Sequence, residues 1–274
     1  MNSSGGKRVS STANPSIKSL LRLSGKRERD RTGLFAVEGV REILRALEGG
    51  IEPVSAFLCR AAGGDRAAEL FERIAGEGAE LIEVSSNVFE RIAYRSGTGG
   101  LIMTARIPDT SLDRIEPAGG PVLVADGIEK PGNHGAMLRS VDGAGGSGVI
   151  LTGGGTDLFN PNVIRASLGA VFTVPAAAAG RAEAIGWLRG KGLRIIVTTP
   201  GAPSPYTEAD LASPCALVVG SEDSGASDEW LREADLAVSL PMLGIGDSLN
   251  VSVSAAVLLY EALRQRRRES ERTC

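Results

Sequence analysis

Three short segments concentrate the side chains able to bind or transform a ligand. They are Asn133-His134-Gly135-Ala136-Met137-Leu138-Arg139-Ser140, Gly220-Ser221-Glu222-Asp223-Ser224-Gly225, and a stretch from Met242 through Ser248-Leu249-Asn250-Val251-Ser252-Val253-Ser254. Asn133, Ser248 and Asn250 are donors and acceptors that position a ligand without titrating, Glu222 adds a carboxylate, and Arg139 adds a permanent charge in a planar fork. The histidine count is one, His134, and a lone histidine at a helix start is more often incidental than catalytic. The three cysteines, Cys59, Cys215 and Cys274, are far apart and form no C-x-x-C pair. A zinc cage or a disulfide framework needs more, so no metal site is expected.

The elements around these segments explain why they should meet. Each follows an apolar run that reads as a strand: PVLVADG, CALVVG and LAVSLP. Polar residues and glycines at strand C-termini are where a parallel α/β sheet binds its ligands. Around them we expect the helix HGAMLRSVDGAG, the strand GVILTG, the helix PNVIRASLGA, a short strand VFTVP, the helix RAEAIGWLRGKG and the strand LRIIVTT. A short helix near SDEWLREA and a long last helix, NVSVSAAVLLYEALRQRRR, complete the set. This alternation predicts a mostly parallel sheet with helices on both faces over residues 118–274.

Residues 1–110 read as a smaller α/β domain. An amphipathic helix is expected over Ile17–Arg27, then strands at LFAVEG, VSAFLC, AELIEV and LIMTARI alternating with helices at VREILRALEG, AAELFERIAG and SNVFERIAY. The polar, proline-bearing stretch 107–121 between the two halves is the expected linker. One glycine pattern is misleading. Gly143, Gly145 and Gly148 match G-x-G-x-x-G, but they close a helix and feed a strand, the reverse of what a dinucleotide loop requires. A helix C-cap and tight turn explain them better than a nucleotide-dependent oxidoreductase does.

With 274 residues, 42% hydrophobic and 23% charged, the chain can bury two ordinary cores, and no apolar run is long enough to span a bilayer. The N-terminus lacks the apolar stretch of a secretory signal, so a cytoplasmic location is expected. The net charge of −3 hides basic ends. Lys7, Arg8, Lys18, Arg22, Lys26, Arg27, Arg29 and Arg31 face only Glu28 and Asp30 in the first 32 residues, and Arg264, Arg266, Arg267 and Arg268 cluster near the other end. Such ends suit a phosphate backbone, although solvated helix faces would look the same.

Taken in order and at this spacing, N-x-G-A-x-x-R-S, G-x-E-x-x-G and L-P-M…S-L-N-V-S-V resemble the three motifs of the SpoU/TrmH class of the SPOUT RNA methyltransferases. Leu240 stands where that class usually has Ile before Pro-Met, and LGIGD is not its commonest spelling, yet neither change removes a functional group. FAVEGVREILRAL resembles the class's ribosomal-protein-like, substrate-binding domain. The resemblance implies S-adenosylmethionine-dependent methylation of a ribose 2′-hydroxyl in structured RNA. It also implies a deep trefoil knot in the C-terminal third and a homodimer whose active sites borrow residues from the partner.

Residue by residue, the resemblance assigns the catalytic set to Asn133, Arg139, Glu222, Ser248 and Asn250. Arg139 would manage the hydroxyl proton or, because a guanidinium stays charged, grip the target phosphate in a two-point contact. Glu222 would orient Asn133 or Arg139, while Ser248 and Asn250 would also serve as N-caps of the last helix. The cofactor would lie against Thr198, Thr199, Gly220, Leu240, Met242 and Leu249. RNA would be met by Arg165, in R-x-S-x-G-A, and by Arg22, Lys26 and Arg27. The presence of a dedicated N-terminal domain favours ribosomal over transfer RNA as substrate. A non-catalytic RNA-binding protein on the same fold is the main rival, but it could lose Asn133, Arg139, Glu222 or Asn250, and all four are present.

Overall fold

The computed structural model describes residues 7–94, 99–154 and 157–273. Its first strands are β1 (Lys7–Val9), β2 (Leu34–Glu38), β3 (Pro53–Leu58), β4 (Glu80–Val84) and β5 (Leu101–Arg106). Among them lie α1 (Pro15–Arg22), α2 (Lys26–Thr32), α3 (Val40–Glu48), α4 (Asp65–Gly76) and α5 (Ser86–Ile92). Then follow β6 (Val122–Asp126), α6 (Pro131–Ala144), β7 (Gly148–Thr152), α7 (Pro161–Ala166), β8 (Ala176–Ala178), α8 (Arg181–Gly190) and β9 (Arg194–Thr198). The chain ends with β10 (Ser204–Pro205), β11 (Cys215–Val219), α9 (Asp228–Arg232), β12 (Leu236–Ser239) and α10 (Val251–Thr273). Among the described residues, no helix is long and apolar enough to cross a membrane.

Contacts divide the chain into two units. Residues up to Pro108 group with Phe159–Thr173, and Asp109–Leu158 group with the residues from Val174 onward. The segment 159–173, read from the sequence as part of the second domain, thus packs with the first unit. Its apolar side chains account for this. The Phe35 ring lies 4.7 Å from that of Phe159 and 5.9 Å from that of Phe172, and Val163 and Ile164 are buried as well. Arg45 Nη1 donates to the Leu168 carbonyl at 2.6 Å. A Cβ at Gly49 would overlap the Phe172 carbonyl, so the approach requires glycine there.

The sheet of the first unit runs β1-β4-β3-β5-β2, with β1, β4 and β3 parallel and β5 antiparallel to both β3 and β2. Ile17 and Leu20 of α1 bury against Phe57, Ile82 and Val88. The single helix expected over Ile17–Arg27 is two helices, broken at Gly25, which is extended (φ −90°, ψ 134°). Breaking a helix frees carbonyls, and Arg29 meets them: its Nη1 donates to Leu23 at 2.6 Å and to Ser24 at 2.8 Å. Arg29 is buried and structural, so it leaves the basic surface. The expected strand VFTVP is also different. Leu168 (φ 54°) and Gly169 (φ 86°) reverse the chain, Ala170–Phe172 form a 3-10 turn, and the strand is β8 further on.

The second unit holds a seven-stranded, all-parallel sheet in the order β10-β12-β9-β11-β6-β7-β8. Every residue of β6, β7 and β11 is buried, as expected of central strands covered on both faces. Helix α6 ends at Gly145 in the left-handed conformation (φ 65°), which accounts for the glycine run before β7.

At the C-terminal end of β6, Asp126 ties three segments together. Its buried carboxylate accepts from Arg181 Nε at 2.6 Å, Thr152 Oγ1 at 2.9 Å and the Ser227 amide at 3.0 Å. Burial alone would raise its pKa, but these donors outweigh burial and hold the carboxyl below its usual range. Replacing Asp126 by Ala leaves Arg181 and the Ser227 amide without their partner. We expect a loss of roughly 2–4 kcal/mol, read from the urea midpoint. Because the folded pKa is the lower one, this stabilisation is present above the unfolded carboxyl pKa, about 4, and is lost as pH falls through the folded value. The acid dependence of stability should therefore be shallower in Asp126→Asn than in the unaltered protein. Identical acid limbs would refute the assignment.

Candidate functional site

Glu222 is the point at which the three polar segments converge. The loop that carries it is closed on itself: Ser221 and Gly225 exchange backbone hydrogen bonds at 3.0 Å, and the Ser221 and Ser224 hydroxyls lie 2.7 Å apart. A Cβ at Gly220 would overlap the backbone of Gly225 and Ala226, so only glycine permits the turn at this strand end. The loop therefore lifts the Glu222 carboxylate off β11 in a fixed direction.

Donors reach that carboxylate from both neighbouring segments. Asn133 Nδ2 donates to Oε1 at 3.2 Å, Asn250 Nδ2 donates to the same oxygen at 2.7 Å, and the Lys130 ammonium pairs with Oε2. Asn250 also donates to Asn133 Oδ1 at 3.2 Å. Its own Oδ1 accepts from the Ser252 amide at 3.1 Å and the Ser252 hydroxyl at 2.6 Å. One side chain thus caps the start of α10 and links it to the site. The Lys130 pair, then Asn133 and Asn250, hold the Glu222 carboxyl below its ordinary pKa, and the carboxylate raises the Lys130 pKa in return.

Beside this cluster lies a cavity of about 350 Å³. All six residues expected to hold a cofactor line it: Thr198 and Thr199 after β9, Gly220 after β11, and Leu240, Met242 and Leu249 after β12. Glu222 and Ser248 are on its wall. Its lining offers an apolar side and a polar side. Met242 and Leu249 are partly open, and the Thr198 hydroxyl is buried with no hydrogen-bond partner. A second hollow of about 250 Å³ shares Ser221–Ser224 with the first and is walled by Gly127, Lys130 and Asn133.

The structure therefore brings Asn133, Glu222, Ser248 and Asn250 together with the six expected cofactor residues. Arg139 is not among the residues lining either hollow. It is exposed on α6 and has no side-chain partner among the described residues. Arg165 belongs to the first unit. Arg22 and Arg27 are exposed, while Lys26 is paired with Asp30 at 2.7 Å.

Sequence reasoning missed Lys130. Its one signal was a lysine just before Pro131, the first residue of α6, and nothing local says that its partner lies 92 residues on. His134 is structural. It is buried, its Nε2 lies 2.8 Å from the Ile128 carbonyl, and burial pushes its pKa down.

The SpoU rRNA Methylase family matches residues 120–260, and the MRM3-like substrate binding domain matches residues 14–103. A 23S rRNA (uridine(2479)-2′-O)-methyltransferase of Streptomyces viridochromogenes is 32% identical over 89% of this chain and 87% of its own length. A crystal structure of an RNA 2′-O ribose methyltransferase is 44% identical, with a TM-score of 0.80, covering 94% of this chain and 99% of that one. An AdoMet-bound rRNA methyltransferase from Sinorhizobium meliloti is 31% identical, with a TM-score of 0.85, over 94% and 97% of the two chains.

Among the groups around Glu222, the Lys130 ammonium does most to hold its carboxyl below the ordinary range. In Lys130→Met the Glu222 carboxyl should titrate at higher pH than in the unaltered protein, followed by NMR of the labelled side-chain carboxyl carbon. The asparagine donors remain, so the shift should be partial. An unmoved titration would remove Lys130 from the site.

Proposed function

The chain belongs to the SpoU rRNA methylase family, and we propose that it methylates a ribose 2′-hydroxyl of ribosomal RNA with S-adenosylmethionine. The observation that carries the reading is that Glu222, on the wall of a cavity lined by all six expected cofactor residues, is also the carboxylate on which Asn133 and Asn250 converge. The residues present fit that cofactor. The orphaned Thr198 hydroxyl and the open apolar side chains of Met242 and Leu249 suit a nucleoside with a flat ring and a polar edge. Thr198, Thr199, Gly220, Leu240, Met242 and Leu249 would hold it. When bound, it supplies a methyl group activated on a sulfonium.

The chain's own residues must then align the acceptor hydroxyl and lower the cost of removing its proton. Arg139 is assigned to the target phosphate. Its guanidinium stays charged, so it stabilises negative charge on the acceptor side and does not itself take the proton. Glu222, held by three donors, fixes Asn133 and Asn250 beside the cavity, and Ser248 contributes to its wall. Arg22, Lys26 and Arg27 on the first unit are assigned to the RNA backbone, within a substrate-binding domain over 1–110 and a methyltransferase domain over 118–274.

The reading extends to a cytoplasmic homodimer and a trefoil knot in the C-terminal third. Leu243 and Ile245 are fully exposed in the segment after β12, and Val253 and Tyr260 are exposed on α10, which favours a covering partner copy. Helix α10 returns from β12 to pack on α6 and β11 in the middle of the sheet, the kind of path that a threaded chain takes.

Mapping 2′-O-methyl marks in cells with and without the protein tests the activity. One ribosomal position should lose its mark, and a loss confined to transfer RNA would overturn the substrate class. For Arg139→Ala, turnover should fall by about a hundredfold or more, the scale of a misplaced acceptor, with cofactor affinity nearly unchanged. Arg139→Lys should not restore it, because an ammonium lacks the planar two-point grip. Near-normal turnover in either variant would refute the role.

A further inference from the structure

The first unit contains a cleft of about 820 Å³ that the catalytic reading does not use. Its floor is apolar, from Leu20 and Ile102 with Ala36, and Ile164 closes one side. The Tyr94 ring stands half-exposed on its wall. Tyr94 is held at its backbone and at its phenol. The Tyr94 amide donates to the Glu38 carboxylate at 2.9 Å, and the phenol donates to Asn162 Oδ1 at 3.3 Å.

Three guanidinium groups border the same cleft: Arg41, Arg91 and Arg165. Arg41 is paired with Glu42 at 2.6 Å. Arg91 has no acidic partner among the described residues, and Arg165 Nη1 is buried with no hydrogen bond at all. A buried guanidinium nitrogen left unsatisfied carries a desolvation cost that an incoming acceptor would relieve. The cleft also opens at the first turn of α3, where Gly39 offers no side chain to cap the free amides. Cationic donors, an ordered flat ring and an apolar floor in one hollow are complementary to a ligand with an anionic end and a planar body.

We propose that this cleft receives one unstacked nucleotide of the RNA, with its base against Tyr94 and its phosphate toward Arg165 and Arg91. The proposal rests on the RNA-substrate reading above and sharpens it: the preferred RNA carries an unpaired, extruded base and is not a continuous duplex. Single-stranded bases are the parts of RNA that proteins stack on aromatic rings and guanidinium planes, whereas a duplex keeps its bases inside. The volume lies within the range of small-ligand sites.

The test is binding by the full-length protein to two labelled RNAs, a hairpin with an unpaired adenosine loop and the fully paired duplex of its stem. The unaltered chain should prefer the hairpin. Tyr94→Ala should weaken hairpin binding roughly tenfold, the scale of one base–aromatic stack, and leave duplex binding unchanged. Tyr94→Phe keeps the ring and should retain most of the affinity, so a loss in Tyr94→Ala together with retention in Tyr94→Phe isolates stacking from folding. Arg165→Met should weaken the hairpin in the same selective way. Equal losses on hairpin and duplex, or hairpin affinity unchanged in Tyr94→Ala, would overturn the proposal. The readout is binding alone. A chain that methylates no RNA but shows the selective loss would refute the catalytic reading and keep the cleft, while a methylating chain indifferent to Tyr94 would do the opposite.

Discussion

The carboxylate of Glu222 is the constraint on which the site depends. It accepts from Lys130 and Asn133 at the start of α6 and from Asn250 at the start of α10. These residues are far apart in the chain, and the segments that carry them follow β6, β11 and β12. An exposed ion pair contributes little by itself. A carboxylate bound by three donors from two segments is different, because each donor fixes the direction of the next. Asn250 illustrates this coupling, since one end caps a helix and the other end holds the carboxylate.

That convergence is possible because the sheet beneath it is parallel. In a parallel sheet all strand C-termini point the same way, so β6, β9, β11 and β12 deliver their following loops to one edge. Asp126 then sets the spacing below the site. By holding the Ser227 amide, it anchors the far end of the loop that begins at Gly220 and carries Glu222. Its low pKa and the low pKa of Glu222 have different origins. Asp126 is buried and is kept ionised by donors that overcome desolvation, while Glu222 is exposed and is lowered chiefly by Lys130.

Much of this was legible in the residues. Buried apolar runs such as CALVV specify strands covered on both faces, and the glycines and polar groups after them mark the ligand edge. The motifs named every side chain that meets at Glu222 except Lys130. What stayed hidden was long-range. No local pattern says that Phe159 and Phe172 will find Phe35, or that Arg29 will turn inward to satisfy the carbonyls of a broken helix. The segment VFTVP has the composition of a strand, yet the reversal at Leu168 and Gly169 commits its first residues to a 3-10 turn. Tertiary burial overrode propensity in each case.

The distribution of charge follows from the same economy of partners. A chain with net charge −3 has to approach a polyanion through local surfaces. Its arginines divide by what they touch. Arg29 and Arg181 are committed to internal carbonyls and to Asp126, and Arg31 is committed to Glu28. Arg22, Arg27 and Arg139 are exposed and unpaired among the described residues. Only the uncommitted group can exchange water and counterions for phosphate without first breaking an internal contact. Counting basic residues along the sequence therefore overstates the surface available to RNA, and the fold selects which of them remain free to bind.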